Sequence, residues 1–195
     1  MIHPTAIIHP NTKIAPLVSI GPYVVIGEGV EIGEGSQLDA HSIVKGPAVI
    51  LGKRNRVGPH VVIESHTTIG DDNIFFQFCS VGAPPQDLKY KGEDSHLSIG
   101  NGNLFRESVT LNRGTHHGSG VTKIGNNNFV MAYVHVAHDC SVGNNVVIAN
   151  SVGLAGHVSI DDCVVIGGMV GGGQFVRIGT FAFIGGYCRI PRDVP

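Results

Sequence analysis

The sequence lacks a charge excess, paired cysteines and long apolar runs, and each absence removes a class of protein. The 195 residues carry a formal net charge of −2, so no basic field is available for a nucleic-acid backbone or an anionic membrane. The four cysteines form no CxxC pair, which favours free thiols in a reducing compartment and predicts a cytoplasmic protein. No run is long enough to span a bilayer and the first ten residues lack a signal-peptide pattern, so stable membrane insertion is not expected.

An aliphatic residue returns at every sixth position over most of the chain. The final series runs from Ile124 to Ile190, and only Gly172 breaks it. A period of six fits neither the 3.6-residue turn of an α-helix nor a simple amphipathic sheet, and it indicates short parallel strands, three to an 18-residue coil. Residues 18 apart should stack in columns about 4.8 Å apart, while the 28 glycines should supply turns that need positive φ or a close approach of the backbone. The sequence therefore predicts an all-β fold, a parallel β-helix of hexapeptide repeats.

The six-residue period fails in two segments, at about 82–98 and 112–123. A solenoid tolerates insertions on its outside, so we predict two external loops at these places. Such excursions usually carry function.

The densest cluster of reactive groups is the segment VHVAHDC, which contains His135, His138 and Asp139. The 18-residue spacing places His138, Gly156 and Gln174 in one column and Asp139 beneath His157. A histidine can remove a proton near neutral pH, and an adjacent carboxylate can fix its tautomer. The N–H of Gly156 could donate to an oxyanion, so the group indicates acyl transfer.

Other interpretations of these residues stay open. The histidines could be solvated turn residues, or His135, His138 and His157 could bind zinc across a trimer interface, as in the carbonic-anhydrase branch of this fold. Glycine clusters such as GGMVGGGQF do not open a helix after a longer strand, so they are interpreted as turns and not as phosphate loops.

The segments PQDLKY, RESVTLNRGT, HVAHDC, LAGHV and the closing DVP together resemble the UDP-N-acetylglucosamine O-acyltransferases that begin lipid A synthesis in Gram-negative bacteria. The resemblance implies a left-handed β-helix and a homotrimer with active sites between subunits. It implies transfer of a 3-hydroxyacyl group from acyl carrier protein to the 3-hydroxyl of the glucosamine in UDP-N-acetylglucosamine. No metal or organic cofactor is implied.

The resemblance also assigns roles to residues. It makes His138 the general base, Asp139 its orienting partner and Gly156 the oxyanion donor. The expected substrate-binding residues are Gln86, Asp87, Lys89, His135, His157, Gln174 and Gly186, the last of which would limit the length of the acyl chain.

The chain departs from the family pattern in three places. Leu111 to Gly114 stand where the family often reads IHRG, and Gly171 to Phe175 stand where it often reads AVHQF, so a histidine is lost at each. The family usually continues into a helical C-terminal domain, and nothing of it follows Pro195. We therefore expect one β-helix domain over 1–195, with the C-terminal helical domain absent.

Rival functions remain within and outside this enzyme class. A CoA-dependent sugar acetyltransferase would accept acetyl-CoA without carrier protein, and the lipid A N-acyltransferase normally carries an extra N-terminal domain. A zinc-dependent hydratase and a catalytically silent trimeric scaffold are the alternatives from other classes.

Overall fold

The computed structural model describes residues 1–195 and contains 28 short strands and no helix. None of its elements is a helix that could cross a membrane. The strands are β1 (Ile7–Ile8), β2 (Lys13–Ile14), β3 (Ser19–Ile20), β4 (Val25–Ile26), β5 (Val30–Ile32), β6 (Gln37–Leu38), β7 (Ile43–Val44), β8 (Val49–Leu51), β9 (Arg56–Val57), β10 (Val62–Ile63), β11 (Thr67–Ile69), β12 (Ile74–Phe75), β13 (Ser80–Ala83), β14 (His96–Ile99), β15 (Leu104–Phe105), β16 (Thr110–Asn112), β17 (Val121–Ile124), β18 (Phe129–Val130), β19 (His135–Val136), β20 (Ser141–Val142), β21 (Val147–Ile148), β22 (Gly153–Leu154), β23 (Ser159–Ile160), β24 (Val165–Ile166), β25 (Gly171–Gly172), β26 (Arg177–Ile178), β27 (Phe183–Ile184) and β28 (Arg189–Ile190).

Each strand pairs in parallel with the strand three further along, which gives a prism with three faces. Face 1 holds the ten strands β1, β4 and onward to β28; face 2 holds the nine from β2 to β26; face 3 holds the nine from β3 to β27. Partners such as Ile7 and Val25 are 18 residues apart, as the column arithmetic predicts. The parallel β-helix of hexapeptide repeats is thereby confirmed, and its coil is left-handed, an exception to the usual right-handed crossover.

The repeating aliphatic residue points into the prism, and the residue two positions before it, which is apolar in many coils, does the same. Val18 and Ile20, or Val164 and Ile166, are such pairs, and all four are buried. One continuous cluster of 42 buried residues results. Side chains therefore alternate between the interior and the outside, as in any β-strand. The hydrophobic effect stabilises the coil along its whole length.

Glycines do not form most of the left-handed turns, and the close approach of the backbone that the sequence also predicts for them is their more frequent role. Twenty-one non-glycine residues have φ between 53° and 66°, whereas only six glycines have positive φ. Single residues of any type can occupy this region at a cost that the stacked coils offset. Many glycines instead follow a strand, where neighbouring coils touch: a Cβ on Gly33 would lie 2.5 Å from the carbonyl carbon of Gly52.

A ladder of buried asparagines runs along the corner between faces 2 and 3. It consists of Asn55, Asn73, Asn103 and Asn128, each at most 2% exposed. The Oδ1 of each accepts the backbone N–H one coil on, and each Nδ2 donates to the carbonyl of a glycine. Every polar atom of the ladder therefore has a partner, as a buried network requires.

The two external loops lie where the sequence predicts them, but they are shorter. The first loop spans 84–95, between β13 and β14, and the second spans 113–120, between β16 and β17. The difference arises because the flanking strands continue into the predicted loops, and β14 pairs with β17 over four residues. Both loops leave from the corner between faces 1 and 2.

We predict that Asn103→Ala lowers the free energy of unfolding by about 2–4 kcal/mol, because the N–H of Asn128 and the Oδ1 of Asn73 lose partners inside the protein. The change is measured by guanidinium denaturation at one fixed protein concentration. The matched control is Asn101→Ala, which removes similar bonds at an exposed position and should cost less than about 1 kcal/mol. Equal losses in both variants would contradict the special role of the buried ladder.

Candidate active site

The segment that contains His138 and Asp139 forms the turn between β19 and β20, at the same corner from which both loops leave. Asp139, His157 and Phe175 occupy the left-handed position of three successive turns, with φ of 60°, 66° and 63°. Aspartate tolerates this conformation better than most residues. The coil thus stacks three functional groups in one column.

His138 and Asp139 form a buried hydrogen-bonded dyad. The Nδ1 of His138 lies 2.9 Å from the Oδ2 of Asp139, and the two side chains are 8% and 0% exposed. The Nε2 of His138 has no hydrogen-bond partner within the chain. A dyad of this kind leaves one imidazole nitrogen available to accept a proton.

The carboxylate of Asp139 receives further hydrogen bonds from the second loop. Thr115 donates its N–H and its hydroxyl, at 2.7 Å from Oδ2, and Ser119 donates its N–H at 2.9 Å from Oδ1. Burial acts to raise the pKa of Asp139, but the hydrogen bonds from Thr115, His138 and Ser119 outweigh it, so the pKa lies below its usual value. Asp139 is therefore an anion at neutral pH.

Gly156 stands directly against the imidazole of His138. A Cβ at this position would lie 2.5 Å from Cε1 and 2.7 Å from Nε2 of His138, so no other residue fits without moving the ring. The N–H of Gly156 makes no hydrogen bond within the chain, and this holds for His138 and Gln174 in the same column as well. The free N–H is thus a regular property of this turn position, and what is particular to Gly156 is the neighbouring imidazole.

His157 and Phe175 extend the cluster by two coils. The ring of His157 meets that of His138 edge-on at 5.2 Å, and its Nε2 lies 4.0 Å from the Oδ2 of Asp139. Phe175 stacks on His157 at 4.4 Å with an interplanar angle of 8°. The sequence interpretation missed Phe175, although its position 18 residues after His157 was the signal that could have identified it.

His135 lies on β19, next to the dyad. Its Nδ1 is 2.7 Å from the hydroxyl oxygen of Thr110. The pKa of His135 is lowered, first by burial and then by the neighbouring His138. His135 therefore favours the neutral form near pH 7.

The other predicted binding residues lie apart from the dyad in the single chain. Gln86 and Lys89 are exposed in the first loop, and the Oδ1 of Asp87 accepts the N–H of Lys89 at 2.9 Å. Gln174 is exposed on the coil above Gly156, and Gly186 is exposed at a different corner, between faces 3 and 1. No hydrogen bond joins any of these residues to His138 or Asp139 within one chain.

The residues at the first departure from the family pattern tie the two loops together. The Nδ2 of Asn112 donates to the carbonyl of Pro84 at 2.9 Å. The guanidinium of Arg113 donates to Ser65 at 2.9 Å and to the hydroxyl of Tyr90 at 3.3 Å. Asn112 therefore has a structural contact of its own in place of the missing histidine.

The residues that lie close enough together to bind a zinc ion differ from the three histidines that the sequence predicts. Ligand atoms of His138, Asp139 and His157 lie within 4.8 Å of one another, and His135 is not in this set. Both oxygens of Asp139 already accept hydrogen bonds, and the Nδ1 of His138 is engaged with one of them. A metal ion would have to displace these bonds, so the residues fit a hydrogen-bonded dyad better than a metal centre.

Comparisons with known proteins agree with the fold and the repeats. The model of the bacterial transferase hexapeptide, six repeats, matches residues 121–156, and that of the GMPPB C-terminal domain matches residues 1–81. These matches and the β-helix place the chain in the class of hexapeptide-repeat proteins.

The relatives identify the family within this class. The acyl-[acyl-carrier-protein]–UDP-N-acetylglucosamine O-acyltransferase of Psychromonas ingrahamii is 57% identical over 84 residues, which are 43% of this chain and 32% of that protein. The UDP-N-acetylglucosamine acyltransferase of Francisella novicida is 41% identical with a TM-score of 0.82, over all of this chain and 64% of that one. LpxA from Acinetobacter baumannii is 47% identical with a TM-score of 0.82, over all of this chain and 68% of that one.

The chain belongs to the LpxA family of UDP-N-acetylglucosamine acyltransferases. The region that matches the Psychromonas protein is about a third of that protein's length, and the chain covers 64% of the Francisella structure.

We predict that His135 titrates below the usual pKa of a histidine, because burial and the neighbouring His138 both disfavour its charged form. Replacement of His138 by Gln should raise the pKa of His135, but not fully to its usual value, because the burial remains. The measurement is an NMR titration of the imidazole Cε1 resonances. A pKa of His135 that does not move in His138→Gln would contradict the proximity of the two rings.

Proposed function

We propose that this protein transfers a 3-hydroxyacyl group from acyl carrier protein to the 3-hydroxyl of UDP-N-acetylglucosamine, the first step of lipid A biosynthesis. The observation that carries the proposal is the buried His138–Asp139 dyad with an unpaired Nε2, in a chain of the LpxA family. Curated relatives at 44–57% identity bear the name of this activity.

His138 is the general base of the proposed reaction. Its Nε2 takes the proton of the sugar 3-hydroxyl as that oxygen attacks the carbonyl carbon of the acyl thioester. The imidazolium that forms lies 2.9 Å from the anionic Asp139, which stabilises its charge and holds the ring in place.

Gly156 stabilises the negative charge that develops on the carbonyl oxygen of the thioester. Its N–H is unpaired and adjacent to the imidazole, so it can donate to the oxyanion of the tetrahedral intermediate. Collapse of the intermediate breaks the carbon–sulfur bond, and the thiolate of acyl carrier protein receives the proton from His138. No cofactor is required for the atoms and charges of this sequence to balance.

Substrate contacts are proposed for the remaining residues, all but one of which lie around the corner between faces 1 and 2. Gln86 and Lys89 present exposed polar groups on the first loop, and Asp87 between them is half-buried. His135, His157 and Gln174 lie on three successive coils beside the dyad, and the resemblance to the family supports a place for them along the substrate cleft. Gly186 is assigned to the acyl chain, since a glycine leaves room for a longer chain.

A homotrimer is proposed because face 1 is apolar on the outside from β1 to β10, face 3 is apolar on the outside from β12 to β27, and face 2 is mostly polar. The outward residues of face 3 include Ile74, Leu104, Phe129, Val147, Val165 and Phe183, and those of face 1 begin with Ile7, Val25, Ile43 and Val62. Face 2 instead presents residues such as Lys13, Thr68, Lys123 and Arg177. Packing of face 1 on face 3 of the next subunit is a head-to-tail contact, and a three-sided prism can close it into a ring of three.

The corner between faces 3 and 1 carries a further apolar feature. Tyr23, His41, His60 and Phe78 stack there with ring centroids 5.0–5.4 Å apart, and the two end rings are each 57% exposed. This corner lies at the centre of the proposed trimer.

We also propose the cytoplasm as the compartment, because all four cysteines are free thiols. Cys79 and Cys140 are buried, which raises the pKa of both to about 12.

We predict that His138→Ala lowers kcat/KM for acyl transfer from 3-hydroxyacyl carrier protein to UDP-N-acetylglucosamine by about 10²- to 10⁴-fold, the usual contribution of a general base. The control is His3→Ala, on the first coil, which should leave the rate unchanged. Both variants should retain the mass of a trimer in analytical ultracentrifugation.

Each competing function predicts a different result of this assay. Transfer from acetyl-CoA alone indicates a CoA-dependent acetyltransferase, and transfer to an amino group of an acylated UDP-glucosamine indicates the N-acyltransferase. Stoichiometric zinc in protein purified without added metal indicates a hydratase. A folded trimer without any transferase activity would overturn the proposal and favour a scaffold.

We predict that Gly156→Ala lowers kcat by about 10²- to 10³-fold, because the added methyl group must displace the imidazole of His138 and disturb the oxyanion donor. Gly185→Ala is the matched control, since a Cβ there meets only Cys188, at 3.8 Å. The measurement is single-turnover acyl transfer with circular dichroism as the check on the fold. Equal rates for the two variants would remove Gly156 from the mechanism.

A further inference from the structure

We infer that the second loop is a positioning element for the general base: Thr115, Gly118 and the backbone of Ser119 hold the carboxylate of Asp139 so that His138 carries its proton on Nδ1 and leaves Nε2 free. The effect on catalysis rests on the proposed function. The effect on the tautomer of His138 does not, since it requires no substrate.

The contacts of the loop converge on one carboxylate. Oδ2 of Asp139 accepts the hydroxyl of Thr115 at 2.7 Å and its N–H at 3.1 Å, while Oδ1 accepts the N–H of Ser119 at 2.9 Å. The hydroxyl of Ser119 lies 3.1 Å from Oδ1 and 2.8 Å from the carbonyl of Val121, and it shares its single proton between them. The backbone of Asp139 is held as well, since its N–H donates to the hydroxyl of Thr122 at 2.8 Å.

The shape of the loop is adapted to this contact. A Cβ on Gly118 would lie 2.5 Å from both oxygens of Asp139, so only glycine lets the loop close over the carboxylate. The N–H groups of Gly118 and Gly120 both donate to the carbonyl of Thr115 at 3.1 Å, which bends the loop back on itself. The side chain of Asp139 is completely buried as a result.

The tautomer of His138 follows from the charge of Asp139 and the direction of these bonds. An ionised carboxylate can only accept hydrogen bonds, and the loop fills most of its acceptor positions. The nitrogen of His138 that faces it, Nδ1, must then be the protonated one. The other nitrogen, Nε2, keeps its lone pair and is the only one able to take a proton from an attacking hydroxyl.

The loop could instead act as a substrate contact, since His116 and His117 are exposed at its tip. The two roles differ in what they change. A substrate contact affects KM, whereas a positioning element affects kcat and the tautomer of a histidine that it does not touch.

The test compares Thr115→Val and Gly118→Ala with His117→Ala, a control in the same loop that leaves Asp139 untouched. The primary readout is the pair of imidazole ¹⁵N shifts of His138, assigned by the loss of these signals in His138→Gln. We expect one Nδ1–H tautomer in the unmutated protein and the control, and a mixture of tautomers in both test variants. The kcat of the test variants should fall by about tenfold to a hundredfold, with KM for UDP-N-acetylglucosamine unchanged within about twofold.

Thr115→Ser keeps the hydroxyl and should restore both the tautomer and the rate, which separates the loss of the bond from a general loss of stability. An unchanged Nδ1–H tautomer in Thr115→Val and Gly118→Ala, or a rise in KM with constant kcat, would overturn the inference. If the unmutated chain shows no acyl transfer, the proposed function fails, but the ¹⁵N shifts still decide whether the loop sets the tautomer.

Discussion

The structure depends on one repeated interaction, the hydrogen bond from each coil to the coil 18 residues later. Because the coils stack in register, every side chain lies above one of the same turn position, as in the pairs Lys13–Glu31 and Ile14–Ile32. A residue type that fits one turn position therefore also fits the same position in the coils above and below. The buried valines, the asparagine ladder and the stacked aromatic rings are three results of this constraint, and none requires contact between parts of the chain that are distant along the axis.

The candidate site uses the same constraint and departs from it at one corner. Stacking alone places the imidazole of His138 beneath Gly156 and the ring of Phe175 above His157. The carboxylate of Asp139 needs more, because the regular coil supplies only the Nδ1–H of His138, which donates to Oδ2. The second loop supplies the other donors, and a non-repetitive segment thereby determines the charge and orientation of a group that the repeat positions.

Much of this arrangement could be predicted from the sequence, because a period of six is visible without three-dimensional information. The columns that contain His138, Gly156 and Asp139 follow from adding 18. The particular pairs of glycines that approach each other, such as Gly33 and Gly52, could not be read in this way, since they depend on how neighbouring coils pack. The contacts of Thr115 and Ser119 were also beyond prediction, because a loop that has left the period has no column to indicate its neighbours.

The position of the asparagine ladder relative to the loops separates two tasks within one coil. The ladder runs along the corner between faces 2 and 3, where the chain has no insertion, and both loops leave from the corner between faces 1 and 2. The corner between faces 2 and 3 thus keeps successive coils in axial register, while the corner between faces 1 and 2 can gain or lose residues. Changes in specificity can therefore accumulate at the reactive corner without a shift in the pitch of the prism, and the fold can diversify its chemistry while its scaffold stays the same.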